Sequence, residues 1–147
     1  MDLQMDGAAL EAFMATHFPQ VSDDFRVRSV SSGGLVLEMR VRDAHLRPGG
    51  TVSGPAMFAL ADVAVYLAIL AQIGPVALAV TTNCGIDFLR RPPAGQGLRA
   101  EARILKLGRV LAVGDVLIFS QGLEAPVARA SLTYSIPPGA RRGPGMG

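Results

Sequence analysis

The sequence predicts an α+β domain in which one long apolar helix packs against a curved antiparallel sheet. Three observations carry that prediction. A nearly uncharged helical stretch begins at Gly54 behind strong cap signals and ends at Gly74-Pro75. Six runs elsewhere read as strands, most of them alternating apolar and polar residues. Short turns join most of these runs, and strands joined that way are antiparallel neighbours. The length, 147 residues, suits one domain. Half of the residues are hydrophobic and 18% are charged, which is enough apolar surface for a core. The expected division is an N-terminal helix and linker over 1–24, the main domain over 25–136, and a flexible Gly/Pro-rich tail over 137–147.

The elements follow in order. Leu3, Met5, Leu10, Phe13, Met14 and Phe18 recur at mostly helical spacing, with Asp6 or Gly7 as the cap and Pro19 as the stop. Phe25 to Ser32 and Leu35 to Asp43 read as two strands around the Ser32-Gly33-Gly34 turn. In the second, Leu35, Leu37, Met39 and Val41 share one face. Residues 44–53 form a loop with Pro48, Gly49 and Gly50. Ser53 before Gly54-Pro55 is an N-cap followed by a first-turn proline. The helix from Gly54 to about Ile73 is apolar on nearly all sides, so protein must enclose it. Val76 to Arg90 then alternates, with Val76, Leu78, Val80, Thr82, Cys84, Ile86 and Phe88 on one face. Leu98 to Ile104 is the clearest half-buried strand, and Val110 to Ser120 and Ala125 to Ile136 complete the sheet.

Several function classes are disfavoured. A single cysteine, Cys84, excludes a disulfide framework within the chain. With only His17 and His45 beside it, a zinc site has few ligands, and neither metal nor cofactor is expected. A net charge of +2 is no nucleic-acid footprint. The acidic start, Asp2 and Asp6, does not resemble a secretory signal, and a cytoplasmic location is expected. Pro55 to Val80 is apolar enough to invite a membrane reading. Asp62 inside it would cost roughly 2.5–3.5 kcal/mol at a bilayer centre, and Gly74-Pro75 breaks the run. A buried core helix is therefore expected, with no membrane partner.

The chemistry starts from an absence. Between Arg47 and Asp87 lie 39 residues with one charge, Asp62. Its one-turn neighbours are Phe58, Ala59, Val65 and Tyr66. An ionised carboxylate in such surroundings is costly unless it is hydrogen-bonded or reaches a cleft. Removal from water favours its protonated form, which suits a base working near neutral pH. A structural aspartate bonded to a loop is the alternative. The second feature is the helix start, where free N–H groups and the positive dipole end favour an anion or a polarised carbonyl. Glycine at 54 permits close approach to its N–H, and Pro55 has none to offer. Cys84, set between apolar neighbours, reads as a small buried hydrophobe.

The run Arg47-Pro48-Gly49-Gly50-Thr51-Val52-Ser53-Gly54-Pro55, followed after six residues by Asp62, resembles the signature of hotdog-fold acyl-CoA thioesterases of the phenylacetate-pathway type. That signature is Asn-x-x-Gly-x-x-His-Gly-Gly-x-x-x-x-x-x-Asp. Val80 to Asn83 and Asp87 to Arg90 resemble the family's central strand, and Gly95, Leu107-Gly108-Arg109 and Val127-Ala128 fall where its turns and last strand would be. The resemblance covers roughly residues 25–136. It implies a hotdog fold, a sheet wrapped around one helix, and hydrolysis of an acyl-CoA thioester. It gives Asp62 the role of base or nucleophile, Gly54 that of the N–H donor to the thioester carbonyl, and Thr81 that of holding the water or the carboxylate. Ser53 stands at the family's His position, Arg47 at its Asn and Pro55 at its second Gly. Because of these departures, a protein that binds an acyl-CoA with little or no turnover is the alternative. A dehydratase of the same fold would need a His on the helix, and there is none. Arg47, Asn83, Arg90, Arg91, Gly108 and Arg109 are the candidate CoA contacts, since guanidinium groups near strand ends suit phosphates.

Geometry adds a partner. Gly54 and Asp62 are eight residues apart, about 12 Å along one helix. An N–H donor must come within roughly 3 Å of the reacting oxygen. One helix cannot bring both groups to one carbonyl. Two antiparallel helices related by a two-fold axis can, so a homodimer with shared sites, or a dimer of dimers, is expected.

Overall fold

A computed structural model of the chain describes residues 2–139. Helix α1 (Gly7–His17) opens on Asp6, whose carboxylate accepts the N–H of Ala9. Strands β1 (Phe25–Ser31) and β2 (Gly34–Met39) form the first hairpin. Its turn passes through Gly33 at φ 74°, a left-handed conformation open to glycine. The two-residue strands β3 (Leu46–Arg47) and β4 (Thr51–Val52) pair with each other and lead into helix α2 (Gly54–Ile73). Strands β5 (Val80–Phe88), β6 (Leu98–Leu107), β7 (Leu111–Ser120) and β8 (Ala128–Ser135) follow. The main sheet is antiparallel throughout, in the order β1-β2-β6-β7-β8-β5. It curls around α2, which is the hotdog arrangement.

Alternation builds the inner face. Leu98, Ala100 and Ala102 of β6, Ala112, Val116 and Ile118 of β7, and Ala128, Ala130 and Leu132 of β8 are buried with α2 in one core. Arg99, Glu101 and Arg103 take the other face of β6. Small residues let the helix come close. A Cβ on Gly114 would sit 3.0 Å from Cγ1 of Val65, so glycine there is a packing requirement. Helix α2 has the length and composition of a membrane span, yet 78% of its most apolar window is buried within the fold. Its ends are those expected: Ser53 Oγ accepts the N–H of Ala56, and Gly74 closes the helix at φ 99°. The segment before α1 joins that end, since the N–H of Gln4 donates to the carbonyl of Ala71 at 2.8 Å.

Several strand boundaries differ from expectation. Strand β2 ends at Met39 rather than Asp43, because Arg42 turns away to fork onto Asp24, with contacts of 2.7 and 2.9 Å. Strand β8 begins at Ala128 rather than Ala125, because Pro126 has no N–H for the ladder. Strand β5 begins at Val80; Val76 and Leu78 lie in the preceding loop, and Leu78 is 77% exposed. Its expected single face is also broken. Thr81 pairs with Tyr134 and Asn83 with Thr133, so Thr82 is an extra residue in a bulge. A bulge reverses the alternation beyond it. Thr81 thus shares the inner face with Cys84 and Ile86, while Thr82 points away and donates to the carbonyl of Thr133. The expected tail lies outside the described residues from position 140 onward.

Candidate active site

Asp62 lies two turns into α2, on the stretch of the helix that the sheet leaves open. It is half-buried, and both donors to its side chain are hydroxyls. Thr81 Oγ1 donates to Oδ1 of Asp62 at 2.6 Å, and Tyr134 Oη donates to the same oxygen at 2.6 Å. Tyr134 Oη also lies 2.8 Å from the backbone carbonyl of Asp62. Two hydroxyl donors thus replace part of the hydration shell that this carboxyl leaves behind on burial. The Tyr134 phenol is held well above its usual range, first by burial and then by the charge of Asp62 beside it, so it stays a donor. Burial pushes the Tyr66 phenol up to about 12. The Cys84 thiol is pushed up by burial and by Asp62, the reverse of nucleophile activation.

The carboxylate forms part of the wall of a cavity of about 360 Å³. The rest of the lining is mainly apolar: Met14, Phe18 and Val21 from α1 and its exit, Val63 from α2, and Ala79 and Val80 at the start of β5. Tyr66 and Phe18 meet edge-on at 5.7 Å between ring centroids. An apolar group placed here would have one acidic end to face.

The helix start forms a second cavity, of about 440 Å³, that brings together Arg47, Gly54, Met57, Phe88, Arg90 and Arg91. The N–H of Gly54 makes no hydrogen bond among the described residues, as befits the first residue of a helix. A Cβ there would lie 3.1 Å from the Phe88 ring, so glycine lets that ring pack against the start of the helix. Arg90 also donates to the carbonyl of Pro126 at 2.6 Å. Ser53 adjoins this cavity and caps the helix.

The structure therefore brings the candidates into two groups. Asp62 and Thr81 stand at one cavity, and Gly54, Arg47, Arg90 and Arg91 at the other. Asn83, Gly108 and Arg109 lie in neither. Asn83 is exposed beside the inward Cys84. Gly108 sits in the β6–β7 turn, where a Cβ would fall 2.9 Å from the carbonyl oxygen of Leu111. A larger concavity, of about 820 Å³, lies on the sheet's outer face between exposed charges of both signs, including the Arg129–Asp87 ion pair. Among the described residues, no buried polar group lines it. Sequence reasoning missed Tyr134, which reads as one more inward residue of an alternating strand. Its polar tip on a buried position was the signal, since a buried tyrosine hydroxyl needs a partner.

The comparisons with known proteins agree with this fold. A family model described as "Thioesterase superfamily" matches residues 49–126. A crystal structure of a "putative thioesterase" from Silicibacter sp. TM1040 is 54% identical, covering 94% of this chain and 96% of its own, with a TM-score of 0.88. A "putative esterase" of Pseudomonas aeruginosa is 30% identical over 113 residues, 77% of this chain and 83% of its own length. A Streptococcus mutans protein, solved bound to acetyl CoA, is 28% identical, covering 77% of this chain and 88% of its own, with a TM-score of 0.68.

Proposed function

We propose, for a chain that belongs to the thioesterase superfamily and is a thioester hydrolase, that its substrate is an acyl-CoA and that its sites are shared between two copies of the chain. The carrying observation is the Asp62 carboxylate, tied to the sheet by two hydroxyls and facing an apolar cavity. That cavity suits the acyl group. The cavity at Gly54 supplies an unpaired N–H and, in Arg47, Arg90 and Arg91, groups suited to CoA phosphates. The acetyl CoA bound by the S. mutans relative supports the same ligand class.

The surface that joins the two cavities supports dimerisation. On α2, Pro55, Phe58 and Ala59 are exposed and Asp62 and Val63 half-exposed, which is one helical stripe. Beside it, β5 is an edge strand, with Val80 and Phe88 more than half exposed. An open edge beside an apolar helix stripe favours pairing with another copy. An antiparallel pairing sets Gly54 of one copy against Asp62 of the other.

Two routes share this arrangement. In one, Asp62 takes a proton from water and the water oxygen bonds to the carbonyl carbon. The carbonyl oxygen gains charge against the Gly54 N–H, the carbon–sulfur bond breaks, and the proton passes to the thiolate. In the other, Asp62 itself bonds to the acyl carbon, CoA leaves as thiolate, and water cleaves the resulting anhydride. Thiol release across aryl-, short- and medium-chain acyl-CoAs tests the reading. At least one ester should be cleaved by the wild type, and by Asp62→Asn at least about a hundredfold more slowly. Binding of these esters in a thermal shift without thiol release would instead select a non-hydrolytic acyl-CoA binder, the reading that the replaced Asn and His positions favour.

A further inference from the structure

We propose that Tyr134 is a positioning residue of the hydrolysis: with Thr81 it pins Oδ1 of Asp62 to the sheet and leaves Oδ2 as the reacting oxygen. The inference rests on the reading of Asp62 as the acid of the site. Both hydroxyl contacts converge on Oδ1 at 2.6 Å, and Oδ2 makes no hydrogen bond among the described residues. The convergence is a product of register. Thr81 and Tyr134 are direct partners across β5 and β8; the alternation of β8 turns Tyr134 inward, and the bulge at Thr82 lets Thr81 share that face with Cys84 and Ile86. With one oxygen tied at two points, rotation about the side-chain torsion is suppressed and the other oxygen keeps a fixed direction.

The groups packed around the acid leave this task to the hydroxyls. From α2 comes Tyr66, from β5 Cys84 beside Thr81, and from β8 Tyr134. From α1 and its exit come Met14, Phe18 and Val21, all apolar. Among the described residues, no cation lines this cavity. The Tyr134 phenol has a single hydrogen and two acceptors within the same residue, Oδ1 at 2.6 Å and the backbone carbonyl at 2.8 Å. When Asp62 takes up a proton during turnover, the phenol hydrogen can swing to the carbonyl. A buried hydroxyl without a partner carries a desolvation penalty, and this arrangement avoids it in both charge states.

Tyr134→Phe removes one oxygen and keeps the ring. With the acyl-CoA that the wild type cleaves fastest, kcat should fall roughly tenfold or more while KM stays within about twofold, as expected for lost orientation. The acid limb of the kcat/KM profile should move to higher pH, because the ionised carboxylate has lost a donor. Thr81→Val should act in the same direction, and Thr81→Ser should restore most of the rate. Unchanged kcat and pH limb in Tyr134→Phe, or a loss confined to KM, would overturn the proposal. Should that variant fail to fold, 3-fluorotyrosine at position 134 keeps the packing and strengthens the donor. Its acid limb should move to lower pH, and an unmoved limb would overturn the proposal equally. Asp62→Asn separates this inference from its premise. Wild-type turnover in Asp62→Asn, or an absence of cleavage across the whole panel, defeats the assignment of Asp62 and the role of Tyr134 with it. An inactive Asp62→Asn beside an unaffected Tyr134→Phe defeats the positioning role alone.

Discussion

The two halves of α2 are built from similar residues and end in different surroundings. From Ala64 to Ile73 every residue is buried against the sheet and α1. From Gly54 to Val63 only Ala56, Met57, Leu60 and Ala61 are buried, and Phe58 stands 38% exposed. One half is core. The other carries the single charge of the helix, its open N-terminus and an uncovered apolar stripe. Apolar composition therefore marks a residue as destined for burial without saying whether its own chain or another copy covers it.

The largest expected effect belongs to the open half. Asp62→Asn should lower kcat/KM by roughly 10²- to 10⁴-fold, the usual range for a general base, with an unchanged melting temperature. The matching change in the closed half should do the opposite. Leu70→Ala opens a cavity in a fully buried position and should destabilise the fold by about 2–5 kcal/mol in urea titrations, leaving kcat close to wild type in the folded fraction. A large activity loss there, at intact stability, would erase the distinction between the halves. Phe58→Asp sharpens it from the other side. A charge on the stripe should weaken dimerisation by about 2 kcal/mol or more in sedimentation equilibrium, and thiol release should fall with the dimer. Next in size is the cap at the open end. Ser53→Ala removes the acceptor for the Ala56 N–H and should cost about 1 kcal/mol of stability.

The smallest effect lies away from both halves. Arg42 holds the Asp24 carboxyl below its usual range, chiefly by a direct hydrogen bond. A depressed folded-state value means stability that is present above the unfolded carboxylate value, about 3.9, and lost as pH falls through the folded one. The melting-temperature gap between wild type and Arg42→Leu should therefore be widest near neutral pH and close as the solution is acidified below about pH 4. A gap that widens with acidification would reverse the sign of this linkage.

Much of this was legible beforehand, for local reasons. Ser53, Pro55 and Gly74 mark the ends of α2 through capping and backbone freedom, which are properties of a few adjacent residues. Asp62 stood out because a charge amid uncharged neighbours needs no tertiary information to be noticed. The alternation of Leu98 to Ile104 announced a half-buried strand in the same way. What escaped were relations between distant segments. The bulge at Thr82 is set by pairing with β8, and period-two reading carried straight through it. Arg42 leaves β2 because Asp24, 18 positions earlier, attracts it.

By itself, then, the sequence determined the types of the longer elements, the ends of the central helix and the candidate acid, because propensity, capping and hydrophobic periodicity act over a few residues. Only the tertiary structure decided that Thr81 and Tyr134 meet on one oxygen of Asp62, that α1 walls the adjoining cavity, and that one stripe of an evenly apolar helix remains uncovered. Those outcomes depend on strand register and on how far the sheet curls, and both are settled by contacts between residues dozens of positions apart.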